Sequence, residues 1–387
     1  MKPTYLSTLT PLRGIAALLI VSVHFNLFVM PLLDPALTSA HFRLYLMVDF
    51  FFVLSGFIMS HVYGNTFSEN WTKQAFWRYM SARFARIYPL HLIMLGWVIT
   101  LYILLVNGPA PLPNSTVRVF NPWAIPFHLT LTNAFFPESL TTWNLPAWSI
   151  SVEWWMYLAF PFLLKPIARG GPFFFLASLA LIGVGYYALT VQSAAQLPDP
   201  DFAGYHISGC IEAYAPPFNM LRCLLGFVLG MITYQVYTRG WGQNWLKNGW
   251  FLPLIGLAIL AFLHLATDLL TVWAFPLLIL VAAHNTVKAK RLLETRPFQR
   301  LGNWSYSIYM VHVPLIFTAL TVQTLTVPNG VPAPPPTPNY GVEPIIICLV
   351  FMAIVVGLAS QLYRFVEVPA RKYLNSKFKT NQFSILT

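Results

Sequence analysis

Residues 10–25 read TPLRGIAALLIVSVHF, an apolar run broken by only two strongly polar side chains, Arg13 and His24. Eleven positions advance an α-helix by about three turns, so both leave the same face, roughly 16 Å apart along the axis. Arginine and histidine are costly to hold in hydrocarbon, so a membrane span carrying both is expected to turn them toward a site or a water-filled path rather than toward lipid.

The rest of the chain supports a membrane reading. Of 387 residues, 57% are hydrophobic, 16% aromatic and 9% charged, against about 25% charged in soluble domains. The expected class is an all-α integral membrane protein. No long hydrophilic block is present, so a single transmembrane domain is expected over residues 1–375, followed by a short basic tail at 376–387. Cys210, Cys223 and Cys348 are not closely spaced and have no histidines at ligand spacing, which argues against a disulfide framework or a metal site. The net charge of +11 is dispersed in small groups between apolar runs, unlike a nucleic-acid-binding surface. Lys2 and the apolar run after it lack a clear cleavage site, so the run reads as a retained first span.

Runs long enough to cross about 30 Å of hydrocarbon occur at roughly 9–31, 44–63, 86–106, 147–164, 172–192, 216–238, 250–267, 268–284, 303–325 and 343–364. About ten transmembrane helices are therefore expected, with the seventh and eighth joined tightly around Asp268. The stretch 121–136, punctuated by Pro122, Pro126 and Pro137, suits a short interfacial or re-entrant helix. With both termini cytoplasmic, all of the 23 Lys and Arg residues except Arg13, Arg43, Arg118 and Arg222 fall in or beside cytoplasmic segments, as the positive-inside rule requires. Arg43 and Arg118 then belong to outer loops. Two further outer loops stand out, 193–215 with Asp199, Asp201 and Glu212, and 326–342 with its stiff VPAPPPTP run.

On this topology Asp49, in VDFFFVLSGF (48–57), lies near the depth of His24. It could raise that imidazole's basicity as a general base requires, or simply cap its own helix. Ser55 and Gly56 suit close helix packing. In RFARIYP (83–89), Arg83 and Arg86 are one turn apart and could clamp phosphates or anchor lipid headgroups; Pro89 is expected near the helix start. Glu153, in WSISVEWWMY (148–157), needs a partner, with His24 and Arg222 as candidates. Ser149 of the same motif is a further candidate, as are Tyr309 and His312, which share a face in LGNWSYSIYMVH (301–312). A lone histidine such as His312 can also be a hydrogen-bonded structural residue. Glu367, in VEVPARKY (366–373), is expected to pair with nearby arginines. No serine sits in a G-x-S-x-G elbow.

Taken in order, Arg13-x10-His24, VDFFFVLSGF, RFARIYP, WSISVEWWMY, LGNWSYSIYMVH and VEVPARKY resemble the acyltransferase 3 family of bacterial membrane proteins. The resemblance covers the length of the chain and is carried by the motifs together, in their stand-alone form without an appended esterase-like domain. It implies an O-acyltransferase of the bacterial inner membrane that takes an acyl group, commonly acetyl, from cytoplasmic acyl-CoA to a hydroxyl of a cell-surface or lipid-linked carbohydrate. No permanently bound cofactor is implied; acyl-CoA is a substrate.

Within that resemblance His24 would be the acceptor-activating base, supported by Asp49 or Glu153. Arg13, Arg83 and Arg86 would hold the donor, and Arg222 or a helix-end amide could stabilise an oxyanion. One departure stands out: the family usually places an acidic or polar residue after the glutamate of the fourth-span motif, whereas Glu153 is followed by Trp154 and Trp155. A glycan or lipid transporter is the alternative reading, and a non-catalytic structural subunit a third.

Overall fold

In lipid a backbone must satisfy its own N–H and C=O groups, and a helix does so within one segment. The structure, a computed structural model, describes residues 5–69, 71–108, 118–196, 209–211, 216–265, 267–284, 288–326 and 340–377. Every one of the apolar runs read from the sequence forms a helix. They are α1 (Leu9–Phe28), α2 (Met47–Glu69), α3 (Lys73–Val106), α4 (Ala147–Arg169), α5 (Pro172–Gln196), α6 (Phe218–Thr238), α7 (Phe251–His264) and α8 (Asp268–His284). After the short α9 (Arg296–Asn303) come α10 (Ser305–Thr326) and α11 (Val342–Leu362), which continues through a π-helical turn at Tyr363–Glu367 into α12 (Val368–Lys377). Among the described residues, seven helical segments are long and apolar enough to cross a membrane, while α7 and α8 are shorter apolar helices. The protein is an all-α, multi-pass membrane protein.

Three expectations change. The third run does not begin at residue 86: Thr72 caps the helix by accepting the Ala75 amide at 3.1 Å, so α3 starts at Lys73 and carries Arg83, Arg86 and Pro89 in its interior. The stretch 121–136 is not one helix. Pro122, Pro126 and Pro137 each stand in the first turn of a separate short helical element, where their missing N–H costs nothing, so the chain restarts at each. Arg43 is not a loop charge but a fully buried partner of Asp268. Asp199, Asp201 and Glu212 of one outer loop, the VPAPPPTP run of another and residues 378–387 of the tail lie outside the described residues.

The bundle is organised on the crossing of α2 and α6. A Cβ placed on Gly56 would lie 1.9 Å from the Phe227 carbonyl oxygen, and one on Gly230 1.9 Å from that of Val53. The helices therefore meet backbone to backbone, the contact that small residues permit in membranes. On α2 this seam runs Asp49, Val53, Gly56, and on α6 Arg222, Gly226, Gly230, each at one-turn spacing. A second close contact fixes the start of α1, where a Cβ on Gly14 would come within 2.7 Å of the Gly302 amide nitrogen on α9.

Candidate functional site

The interior encloses a cavity of about 610 Å³ walled by α1, α2, α3, α4, α10 and α12. Its basic end gathers Arg13, Arg83, Arg86, Arg371 and Lys372; Glu153 also lines it, and Ser149 and Tyr309 stand in its wall. The α2 wall is largely apolar, with Val48, Phe51, Phe52, Leu54, Ile58 and Met59.

The cavity arginines are held with little neutralising charge. Arg83 donates to the Tyr63 hydroxyl at 2.9 Å, and its guanidinium lies 5.2 Å from the Tyr63 ring centroid and 5.8 Å from that of Tyr157. Aromatic faces stabilise the cation without cancelling it. Arg86 donates to Glu367 at 2.9 Å, so the arginine that pairs with Glu367 comes from α3 and not from its own segment, and Ser307 donates to the other oxygen of the same carboxylate. Arg13 makes no hydrogen bond or ion pair among the described residues; its electrostatic neighbours are Arg86, Tyr157, Glu153 and Glu367. Glu153 accepts from Tyr157 at 2.7 Å, one turn along its own helix, and is joined to neither of the partners considered for it, His24 and Arg222.

Arg222 is committed elsewhere. Its Nε lies 3.0 and 3.2 Å from the two carboxylate oxygens of Asp49, and its Nη2 lies 2.6 Å from Oδ2. Both side chains are buried, with Tyr45 and Trp148 stacked around the guanidinium. This forked pair occupies both carboxylate oxygens of Asp49 and holds Arg222 on the seam. The reason is helical phase: Asp49 shares the face of Val53 and Gly56, which α6 covers completely, so depth alone does not bring it to α1. The sequence carried the signal, since Asp49 and Arg222 each lead a one-turn stripe ending in the glycine that makes the seam.

His24 has a different partner. His312 Nε2 lies 3.2 Å from His24 Nδ1, with ring centroids 4.9 Å apart. His312 Nδ1 faces the Ile308 carbonyl at 3.3 Å, and His24 Nδ1 faces the Ile20 carbonyl at 3.1 Å. A carbonyl only accepts, so both Nδ1 atoms carry hydrogen. His312 Nε2 is then an acceptor for His24 Nδ1–H, and the lone pair of His24 is left on Nε2, where a base would need it. His24 itself stands outside the cavity lining. The wall nearest the histidine pair is Tyr309, whose ring is 5.9 Å from that of His312; the hydroxyls of Tyr309 and Ser149 are 2.7 Å apart. Arg13, Arg83, Arg86, Glu153, Ser149 and Tyr309 thus share one cavity, His24 and His312 form a pair beside it, and Asp49 and Arg222 stand apart. Among the described residues no group of His, Cys, Asp or Glu is placed to hold a metal, and the three cysteines are buried free thiols.

Comparison with known proteins gives this arrangement a context. The chain is 36% identical to protein 2 in the picA locus of Rhizobium radiobacter, over 37% of this chain and 73% of that one. It is 28% identical to the acyltransferase MdmB of Streptomyces mycarofaciens, over 80% and 79%. It is 24% identical to the peptidoglycan O-acetyltransferase OatA of Listeria monocytogenes, over 95% of this chain but only 56% of that protein, so the chain spans little more than half the length of this relative. No solved structure matches the chain. The family model described as an acyltransferase domain, Acyl_transf_3, matches residues 9–364, and the protein with its cationic cavity and histidine pair is therefore a membrane acyltransferase belonging to that family.

Proposed function

We propose that the protein transfers an acyl group, acetyl in the first instance, from acyl-CoA to a hydroxyl of a cell-surface or lipid-linked carbohydrate. The observation that carries the donor assignment is the meeting of Arg13, Arg83, Arg86 and Arg371 in one cavity with only Glu153 and Glu367 beside them. A surplus of fixed positive charge in a low-dielectric site favours a polyanion, and the phosphates of coenzyme A supply one. The carbohydrate assignment is supported by the relative named as a peptidoglycan O-acetyltransferase. With the basic end taken as cytoplasmic, as the positive-inside rule directs, the protein belongs in the inner membrane with both termini inside. The donor then enters from the cytoplasm.

In this reading the thioester is carried past Glu153 toward Ser149 and Tyr309. His24 takes the acceptor proton at Nε2 while the hydroxyl oxygen forms a bond to the acyl carbon; the carbon–sulfur bond then breaks, and the thiolate leaves as coenzyme A after gaining a proton. The Nδ1–H bond to His312 fixes the tautomer that leaves Nε2 free. Tyr309 is the hydroxyl nearest the reacting end and is assigned to orienting the acyl carbonyl.

Purified protein in lipid nanodiscs tests this with coenzyme A titrated calorimetrically and acetyl transfer followed from labelled acetyl-CoA to muropeptides and to other glycans. Saturable binding and His24-dependent transfer are expected. Absence of coenzyme A binding overturns the donor assignment, and full transfer by His24→Ala overturns the base.

A further inference from the structure

The C-terminal helix contributes two cationic side chains, Arg371 and Lys372, to the cavity besides those of the arginine–histidine stripe and α3. α11 does not end at the membrane boundary but passes through the π-helical turn at Tyr363–Glu367. Such a turn inserts a residue into the helical phase and commonly marks a functional position. Here it buries Glu367, which holds Arg86 and Ser307, and it sets the phase of α12 so that Arg371 and Lys372 face the cavity.

Arg371 is anchored from behind: its Nε donates to the Glu367 backbone carbonyl at 3.2 Å, and its guanidinium lies 5.4 Å from the Tyr363 ring centroid. The side chain is 7% exposed, yet its Nη2 has no hydrogen-bond partner. Burying a guanidinium N–H without an acceptor is unfavourable by itself. Glu367, the nearest carboxylate, is already shared between Arg86 and Ser307; Glu153 and Asn375 also line the pocket, and neither is bonded to Nη2. Arg86, on the adjoining α3, is an electrostatic neighbour of Arg371, and Arg83 lines the same cavity.

From this we infer that Arg371, with Lys372 beside it, binds phosphate of the acyl-CoA donor and completes a basic clamp whose other jaw is Arg83 and Arg86. The inference rests on the donor reading above. It makes the C-terminal helix part of the binding site. Glu367 then serves both jaws, since it fixes Arg86 through its side chain and Arg371 through its backbone carbonyl.

The test uses the full chain in nanodiscs with two probes, coenzyme A and pantetheine, which has the thiol arm and no phosphate. Arg371→Gln is expected to weaken coenzyme A binding about tenfold and to leave pantetheine binding unchanged; Arg371→Lys is expected to recover part of the loss. If wild-type protein binds coenzyme A and Arg371→Gln binds it equally well, the residue serves structure or a lipid headgroup and the inference is overturned, while the donor reading survives. A parallel loss of both probes also overturns it, because it reports a damaged cavity. If wild-type protein binds no coenzyme A, both fall. Should Arg371→Gln not fold, the exposed neighbour Lys372→Glu carries the test: several-fold weaker coenzyme A binding supports the clamp, and unchanged binding overturns it.

Discussion

Buried arginines are held in two contrasting ways in this molecule. On the α2–α6 seam Arg222 is gripped by both oxygens of Asp49, and near the start of α8 Arg43 is matched by Asp268, whose carboxylate also takes the Tyr45 hydroxyl and the Ile211 amide. In the cavity, among the described residues, Arg13 has no ion pair, Arg83 has aromatic rings and a phenol, and Arg371 has a backbone carbonyl and an idle Nη2. A charge matched in place can hold helices together; a charge held unmatched is a standing demand for an anion. Apart from Arg86, which is paired with Glu367, the pattern of neutralisation, rather than the presence of arginine, separates scaffold from site.

The largest effect should come from breaking a matched pair. Asp49→Ala leaves Arg222 buried and uncompensated, and a loss of about 3–5 kcal/mol is expected, visible as failure to accumulate or a steep fall in thermal unfolding temperature in detergent. If the melting point holds, the seam is not where the scaffold's charge is anchored. Next in size, His24→Ala should lower transfer roughly a hundredfold to ten-thousandfold with unfolding temperature unchanged; parallel losses of fold and activity would make the histidine pair structural. Arg13→Gln should sharpen the contrast most directly: removing an unmatched charge should leave stability level or improved, while coenzyme A affinity falls about tenfold. A destabilised Arg13→Gln protein with normal donor affinity would erase the distinction. Smaller still, His312→Gln should cut turnover several-fold by loosening the His24 tautomer, without altering donor affinity. The smallest effect is expected from Tyr309→Phe, which removes one hydrogen bond to Ser149, worth about 1 kcal/mol, read as a several-fold change in turnover.

Much of this was legible in the residues. Each apolar run became a helix because length and hydropathy suffice where lipid is the solvent; that Glu367 would seek an arginine was legible from its charge, but its partner Arg86 lies 281 residues away and no spacing names it. The pairing of Asp49 was not legible from depth. Two residues at one level of a bundle meet only if their helical faces do, and the face was set by Gly56 and Gly230, whose partners are far apart in the chain. The His24–His312 contact is likewise tertiary, since α1 and α10 are nearly three hundred residues apart and neither helix has a period that names the other. Arg371 was hidden for a local reason: an ordinary helix ending at the membrane surface would point it into solvent, and a π-helical turn is not written in any short motif. The extended start of α3 was visible in Thr72 ahead of a helix-favouring run, but hydropathy alone passes over a polar first turn.

The glycine seam also determines how the enzyme can open. Where two backbones touch with no side chain between them, a slide of one residue would drive a carbonyl into a Cβ, so no second register exists for α2 and α6 to adopt. They travel as one rigid keel. On the far side of the cavity from the seam, α3 and the π turn before α12 are latched to each other through Arg86 and Glu367, so a displacement of either wall element carries the other with it.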